Sequence, residues 1–142
     1  MLKNVPNIIS PELLKIIMEM GHGDELILAD GNFPAASIAQ RLVRADGHGV
    51  PELLEAILKL YPLDIYSPKP VALMEVVPGD DTKPTIWEDY RKIVVDSGEK
   101  FDDFEFVERF AFYDRAKEAY AVVATSEAAL YANIILKKGI IA

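Results

Sequence analysis

Four short runs constrain this chain most: Glu25-Leu26-Ile27-Leu28-Ala29, Val71 to Val77, Tyr120 to Ala124, and Ile134-Ile135-Leu136. Each is apolar almost throughout, the form taken by a strand buried on both faces. None approaches the ~20 residues that cross a bilayer as a helix. Between them lie stretches with helical spacing. Leu13, Ile16, Ile17 and Met20 recur at i, i+3, i+4 and i+7, and Ser10-Pro11-Glu12 opens that helix with a cap, a first-turn proline and an acid. Gly21 is its natural stop. A second helix starts near Val50-Pro51-Glu52, carries Leu53, Leu54, Ile57 and Leu58 inward, and ends before Tyr61. Pro84 to about Val95 and Arg109 to Glu118 complete the set. Leu42 to Ala45 and Phe104 to Val107 read as further strands, residues 34–42 as a short helix or loop, and Ser126 to Leu130 as a short polar helical turn. Strand and helix alternate, so the expected class is α/β, one compact domain with helices packed around a central sheet.

Composition narrows the function. With 142 residues, 51% of them hydrophobic, the chain has the length of one domain and ample material for a core. A formal charge of −8 and no block of Lys and Arg argue against nucleic acid as a partner. Met1 to Pro6 lacks the apolar core of a signal peptide, and no membrane partner is expected. The absence of cysteine removes disulfides and thiolate metal sites. The expected location is the cytoplasm.

The chemically suggestive stretch is Gly21-His22-Gly23-Asp24-Glu25. An imidazole between two glycines has little side-chain bulk beside it, and histidine is the side chain whose unperturbed pKa, ~6.5, allows proton transfer near neutrality. The bland alternative is a histidine capping carbonyls at a helix C-terminus. Asp30 follows a buried strand, where α/β proteins build sites, although it would equally form an Asx-turn with Gly31 and Asn32. Arg109 stands among aromatics, with an ion pair to Glu105 or Glu108 as the plainer reading. Tyr131-Ala132-Asn133 offers a phenol and an amide before a strand, or an ordinary turn with Asn133 left-handed. His48 lies in Asp46-Gly47-His48-Gly49 and reads as loop. Asp80-Asp81 and Asp102-Asp103 read as solvated turns. Two distant histidines give no metal-ligand spacing, Gly21-x-Gly23 lacks the rest of a phosphate loop, and no Gly-x-Ser-x-Gly elbow occurs.

Taken together, Gly21–Glu25, Ala29-Asp30-Gly31-Asn32-Phe33-Pro34, Arg109-Phe110-Ala111-Phe112-Tyr113 and Tyr131-Ala132-Asn133-Ile134-Ile135-Leu136-Lys137-Lys138-Gly139 resemble the ribose pyranase/fucose mutarotase (RbsD/FucU) family, in its order and spacing and over essentially the whole chain. The Ser10–Leu14 opening, Arg44-Ala45-Asp46-Gly47 and the Arg-Phe-Ala-Phe-Tyr block are more similar to the L-fucose branch than to the D-ribose branch. Asn32 departs from fucose-type members that carry histidine there. The resemblance implies one mutarotase domain over 1–142 that interconverts the anomers of a free monosaccharide, above all L-fucose. It implies no metal or organic cofactor, and a ring-shaped homodecamer with sites at subunit boundaries. His22 matches the catalytic histidine. Asp30, Arg109, Tyr131 and Asn133 match sugar-binding positions, with Ala132 contributing backbone and Tyr120 a further candidate. The acid–base partner of His22 is left open among Tyr120, Tyr131, Asp30 and water. The alternatives are a D-ribose pyranase-type isomerase and a non-catalytic sugar-binding accessory of sugar uptake.

Overall fold

The computed structural model describes residues 1–142. In chain order the elements are α1 (Pro11–Glu19), β1 (Glu25–Ala29), α2 (Ala35–Ile38), β2 (Leu42–Ala45), α3 (Val50–Leu58), β3 (Val71–Met74), α4 (Ile86–Asp96), β4 (Glu105–Val107), α5 (Arg109–Glu118), β5 (Ala121–Thr125) and β6 (Ile134–Lys137). The six strands form one sheet in the order β2-β5-β1-β6-β3-β4. Pairing is parallel between β2 and β5, β5 and β1, and β3 and β4; β6 runs antiparallel to both neighbours, β1 and β3. Five strands therefore end at one edge of the sheet, and β6 begins there.

Successive residues of each strand enter opposite cores, as the two-residue period of a strand demands. Leu26, Leu28, Val71, Leu73, Ile134 and Leu136 face a large core shared with Leu13 and Ile17 of α1, Leu53 and Ile57 of α3, and Tyr90 and Val94 of α4. Ile27, Ala29, Ala72, Val122, Ala124 and Ile135 face a smaller core built with Phe112 and Ala116 of α5. Helices thus cover both faces, which is why these strands could afford no polar alternation.

The helix starts follow the sequence. The Ser10 hydroxyl accepts the Leu13 N–H at 3.1 Å. Glu52 accepts the Gly49 N–H at 2.9 Å, and Glu127 accepts the next free donor of α3, the Val50 N–H, at 3.1 Å. Each satisfies a first-turn donor that the helix itself cannot. On the smaller face, Arg115 of α5 grips Glu25 through Nε and Nη2 and reaches Glu105 through Nη1 at 2.9 Å, joining the starts of β1 and β4.

Two expected elements differ. The strand from Val71 stops at Met74 rather than Val77: Glu75 donates to Val107 where β4 ends, and the Val77 N–H then turns to the Tyr131 phenol. Residues 126–130 form no helical turn. Thr125 Oγ1 takes the Glu127 N–H, and the Glu127 carboxylate is drawn away to α3.

At the other edge of the sheet, backbone pairing continues past β6. Lys138 exchanges hydrogen bonds with Gly23 and Asp24 on one side, while Asp64 donates to Lys137 and Gly139 donates to Pro62 on the other. A Cβ on Gly139 would strike the Leu63 carbonyl, with its carbon only 2.8 Å away, so glycine is required for this close approach. Gly139→Ala is expected to lower stability by about 1–3 kcal/mol, the usual cost of overpacking. Chemical denaturation checks this, and an unchanged midpoint would contradict the close approach.

Candidate functional site

The edge where β1, β3 and β4 end and β6 begins holds a cleft of about 280 Å3, near the small end of ligand cavities. Asp30, Arg109, Tyr131 and Asn133 all line it, with Asp80 and an aromatic wall of Phe33 and Tyr113. Topology explains the convergence: Asp30 follows β1, Arg109 follows β4 and begins α5, and Tyr131 to Asn133 lead into β6. Residues distant in sequence meet because their strands end together, at the edge where α/β sheets bind ligands.

Asp30 and Asn133 hold each other. The Asp30 N–H donates to Asn133 Oδ1 at 2.8 Å, and Asp30 Oδ1 accepts the Asn32 N–H at 3.0 Å. The Asx-turn reading of Asp30 is therefore correct, and the same residue also lines the cleft. Asn133 uses its oxygen internally and keeps amide donors for a ligand. Burial pushes the Asp30 carboxyl above its ordinary range, and the negative charge of Glu127 adds to this; N–H groups of Asn32, Phe33 and Ala132 oppose it.

Tyr131, not Asn133, takes the left-handed backbone, with φ +55°. The strain is held by packing: the Trp87 indole donates to the Tyr131 carbonyl at 2.8 Å, and the Tyr90 hydroxyl donates to the Ala132 carbonyl at 2.7 Å. Ala132 is fully buried and contributes backbone only. The Tyr131 phenol donates to Asp80. Asp80, read from sequence as a solvated turn, is exposed but belongs to the rim of the cleft.

Arg109 makes no ion pair. The partners expected from sequence are engaged elsewhere: Glu108 caps α5 by accepting the Phe110 and Ala111 N–H groups, both at 3.0 Å, and Glu105 binds Arg115. The Arg109 guanidinium instead lies over Phe110 and Tyr113, 5.4 and 5.7 Å from the ring centroids. The cleft thus combines a buried carboxylate, a guanidinium without an ion-pair partner, amide and phenol groups and the mutually tilted rings of Phe33 and Tyr113. Such a set suits a small neutral molecule with many hydroxyls.

His22 does not line this cleft. It precedes β1, whereas Asp30 follows it, and five strand residues at ~3.3 Å each separate the two edges by about 16 Å. Gly23, with φ +89°, turns the chain there. The His22 ring makes one hydrogen bond, Nε2 to Asp64 Oδ1 at 3.0 Å, and lies 5.7 Å from the Tyr66 ring. It caps no helix carbonyl. Asp64 is buried and also accepts the Tyr66 N–H at 3.0 Å. Burial would raise its carboxyl, but the His22 and Tyr66 hydrogen bonds and the Lys137 charge outweigh it and hold the group below the usual range.

Asp64 is a hydrogen-bond partner of His22 that sequence reasoning did not name. The side chains left open as acid–base partners make other hydrogen bonds within the chain: Tyr120 donates to Glu19 at 3.1 Å with Arg41 stacked 3.9 Å from its ring, Tyr131 donates to Asp80, and Asp30 accepts the Asn32 N–H. Tyr120 precedes β5 and so lies at the His22 edge, away from the cleft. An acid between Leu63 and Ile65, just after Tyr61-Pro62, was the available sign of a buried carboxylate. His48 makes only an exposed contact with Glu52 at 3.3 Å, so its loop reading stands.

The model of the RbsD / FucU transport protein family matches residues 3–141. The chain is similar to the L-fucose mutarotase of Actinobacillus pleuropneumoniae serotype 5b, 54% identical with 99% of this chain and 97% of that protein covered. It is similar to the human fucose mutarotase, 52% identical with 99% and 95% covered. A crystal structure of the Streptococcus pneumoniae fucose mutarotase in complex with L-fucose superimposes with a TM-score of 0.94 at 52% identity, covering 99% of this chain and all of that one.

A raised Asp30 carboxyl means that the folded protein binds this proton more tightly than the unfolded chain does. Its contribution to stability is full below the unfolded aspartate pKa, ~3.9, and is lost as pH rises through the higher folded value. Asp30→Asn keeps an oxygen for the Asn32 N–H and removes that loss. Its melting temperature should therefore gain on the wild type as pH is raised from about 4 to 7. A difference that stays constant across this range would show that burial does not burden the carboxylate.

Proposed function

Because this chain belongs to the RbsD / FucU transport protein family, we propose that it interconverts the α and β anomers of L-fucose. The observation that carries the proposal is full-length likeness, at 52–54% identity, to fucose mutarotases, one of them solved with L-fucose bound. The geometry of the cleft supports it. Asp30 accepts from sugar hydroxyls, Arg109 and the Asn133 amide donate to them, and Tyr131 orients the ring.

The chemistry is modest. One proton leaves the anomeric hydroxyl, the bond from C1 to the ring oxygen breaks, and one proton arrives on that oxygen. The open aldehyde rotates about C1–C2 and recloses on its other face by the reverse steps. No electrons are transferred and no covalent intermediate forms. A group that accepts and returns a proton near neutrality serves both directions, and His22 is of that type.

His22 of one chain does not reach a sugar held at the opposite edge of the same sheet. We therefore take the working site to be shared: the His22 edge of one copy closes the cleft of the next. Exposed Ile65 and Tyr66 flank His22, and exposed Leu130 and Phe110 flank the cleft, which supports such a head-to-tail contact. Contacts between two different surfaces close into rings when the rotation permits, and a homodecamer is the proposed assembly. The acidic, cysteine-free composition supports a cytoplasmic setting.

Saturation-transfer NMR between the L-fucose anomers, with D-ribose as comparison, tests the reaction. Exchange above the uncatalysed rate is expected for L-fucose, and the absence of any acceleration would refute the assignment. His22→Gln should lower exchange by roughly 10²-fold or more, the usual contribution of a positioned acid–base group. Sharing of the site makes a separate prediction. Chains carrying His22→Gln, reassembled with chains carrying Arg109→Ala, should regain about a quarter of wild-type exchange, because that fraction of boundaries pairs an intact His22 with an intact cleft. No recovery in verified mixed assemblies would contradict a shared site. Asn133→Ala leaves the buried Asp30 N–H unpaired, at a cost of ~1–3 kcal/mol. Calorimetry on this variant should show fucose affinity weakened by about ten-fold or more.

A further inference from the structure

We propose that Asp64 is a positioning residue that sets the tautomer of His22, so that Nε2 carries the proton and Nδ1 is the atom that exchanges protons with substrate. The inference deepens the proposed reaction and rests on that reading for its kinetic consequences. It stands on the geometry at the His22 edge. His22 Nε2 lies 3.0 Å from Asp64 Oδ1, and this is the only hydrogen bond the ring makes. A carboxylate accepts and does not donate, so the Nε2 nitrogen facing it must be the donor. The neutral ring then has its lone pair on Nδ1, turned away from Asp64 and toward solvent; the His22 side chain is 46% exposed.

Asp64 is itself immobilised. Its side chain is only 9% exposed, its backbone N–H donates to Lys137, and Oδ1 also accepts the Tyr66 N–H. The groups facing the pair are the Tyr66 ring beside His22 and the Lys137 charge near Asp64. The carboxylate is thus anchored to the pairing of residues 62–64 with β6 rather than to a mobile loop tip. A half-exposed imidazole without such a partner would rotate and populate both tautomers. A fraction of its encounters would then present a protonated nitrogen where a base is needed. Asp64 also favours the imidazolium that forms when Nδ1 takes the anomeric proton, because an adjacent anion stabilises the charged ring. Nδ1 takes the proton from the anomeric hydroxyl, and water protonates the ring oxygen as its bond to C1 breaks; Asp64 neither gains nor loses a proton.

The test compares the wild type with Asp64→Asn, which keeps an oxygen for the Tyr66 N–H, and with Asp64→Ala. In protein labelled with 15N at histidine, wild-type His22 should show the signature of the Nε2–H tautomer, and Asp64→Ala a mixture of both. Fucose exchange should fall at least about ten-fold in Asp64→Ala, part of the ~10²–10⁴-fold that a positioned acid–base group supplies, and less in Asp64→Asn, whose oxygen still accepts the Nε2 proton. Fucose affinity should be retained, because the binding groups lie at the other edge. An unaltered tautomer or an unchanged rate in Asp64→Ala would overturn the proposal. If the wild type itself fails to accelerate fucose exchange, the proposed reaction falls, while the nitrogen signatures still decide whether Asp64 sets the ring.

Discussion

Most of this architecture depends on β6 lying antiparallel between β1 and β3. Its residues Ile134 to Leu136 are fully buried, with backbone partners on both sides, so the strand can neither slip nor turn over without emptying two cores. Reversal of this one strand does two things at once. Its entry, Tyr131 to Asn133, is delivered to the edge where the parallel strands finish. Its exit, Lys137 to Gly139, is delivered to the edge where they start. The first placement builds the cleft around Asp30. The second draws Gly23-Asp24 and Pro62 to Asp64 against the same short backbone, and so sets Asp64 beside His22.

The unequal faces of the sheet shape the cleft further. The face under α5 presents Ala29, Ala72 and Ala124, and these small residues admit Phe112 and Ala116 closely. Arg115 fastens the helix to Glu25 and Glu105 on that face. With α5 held at both ends, its first residue, Arg109, meets the cleft without a carboxylate partner of its own. That guanidinium lacks an ion-pair partner because the acids nearest in sequence are engaged, Glu108 as a cap and Glu105 with Arg115.

Separation of the binding groups from the imidazole gives the proposed chemistry its dependence on assembly. Each chain carries the cleft lined by Asp30, Arg109, Tyr131 and Asn133 at one edge and the His22–Asp64 pair at the other, on a sheet too long to let them meet. In the proposed reaction, contact between copies is what would complete the active site. Mutarotation tolerates such a design because it needs only well-placed proton transfer, with no cofactor to position.

Local patterning made much of the fold legible. The strands Glu25–Ala29 and Leu42–Ala45 and the helix Arg109–Glu118 follow directly from apolar runs, helical spacing and caps, because these signals act over a few residues. Asp30, Arg109, Tyr131 and Asn133 could be singled out too, from their place at element ends and from resemblance, and the fold brings all four to one cleft. What local signals could not carry were pairings across the chain. Asp30 meets Asn133 over 103 positions and His22 meets Asp64 over 42, and only strand order brings them together. The early end of β3, the irregular path of residues 126–130 and the left-handed Tyr131 were likewise decided by distant partners: the Tyr131 phenol, the N-terminus of α3 and the side chains of α4. Sequence alone determined which residues were available for chemistry and which elements would present them. Tertiary structure decided which edge each reached, because the direction of a strand in a sheet depends on its neighbours and not on its own residues.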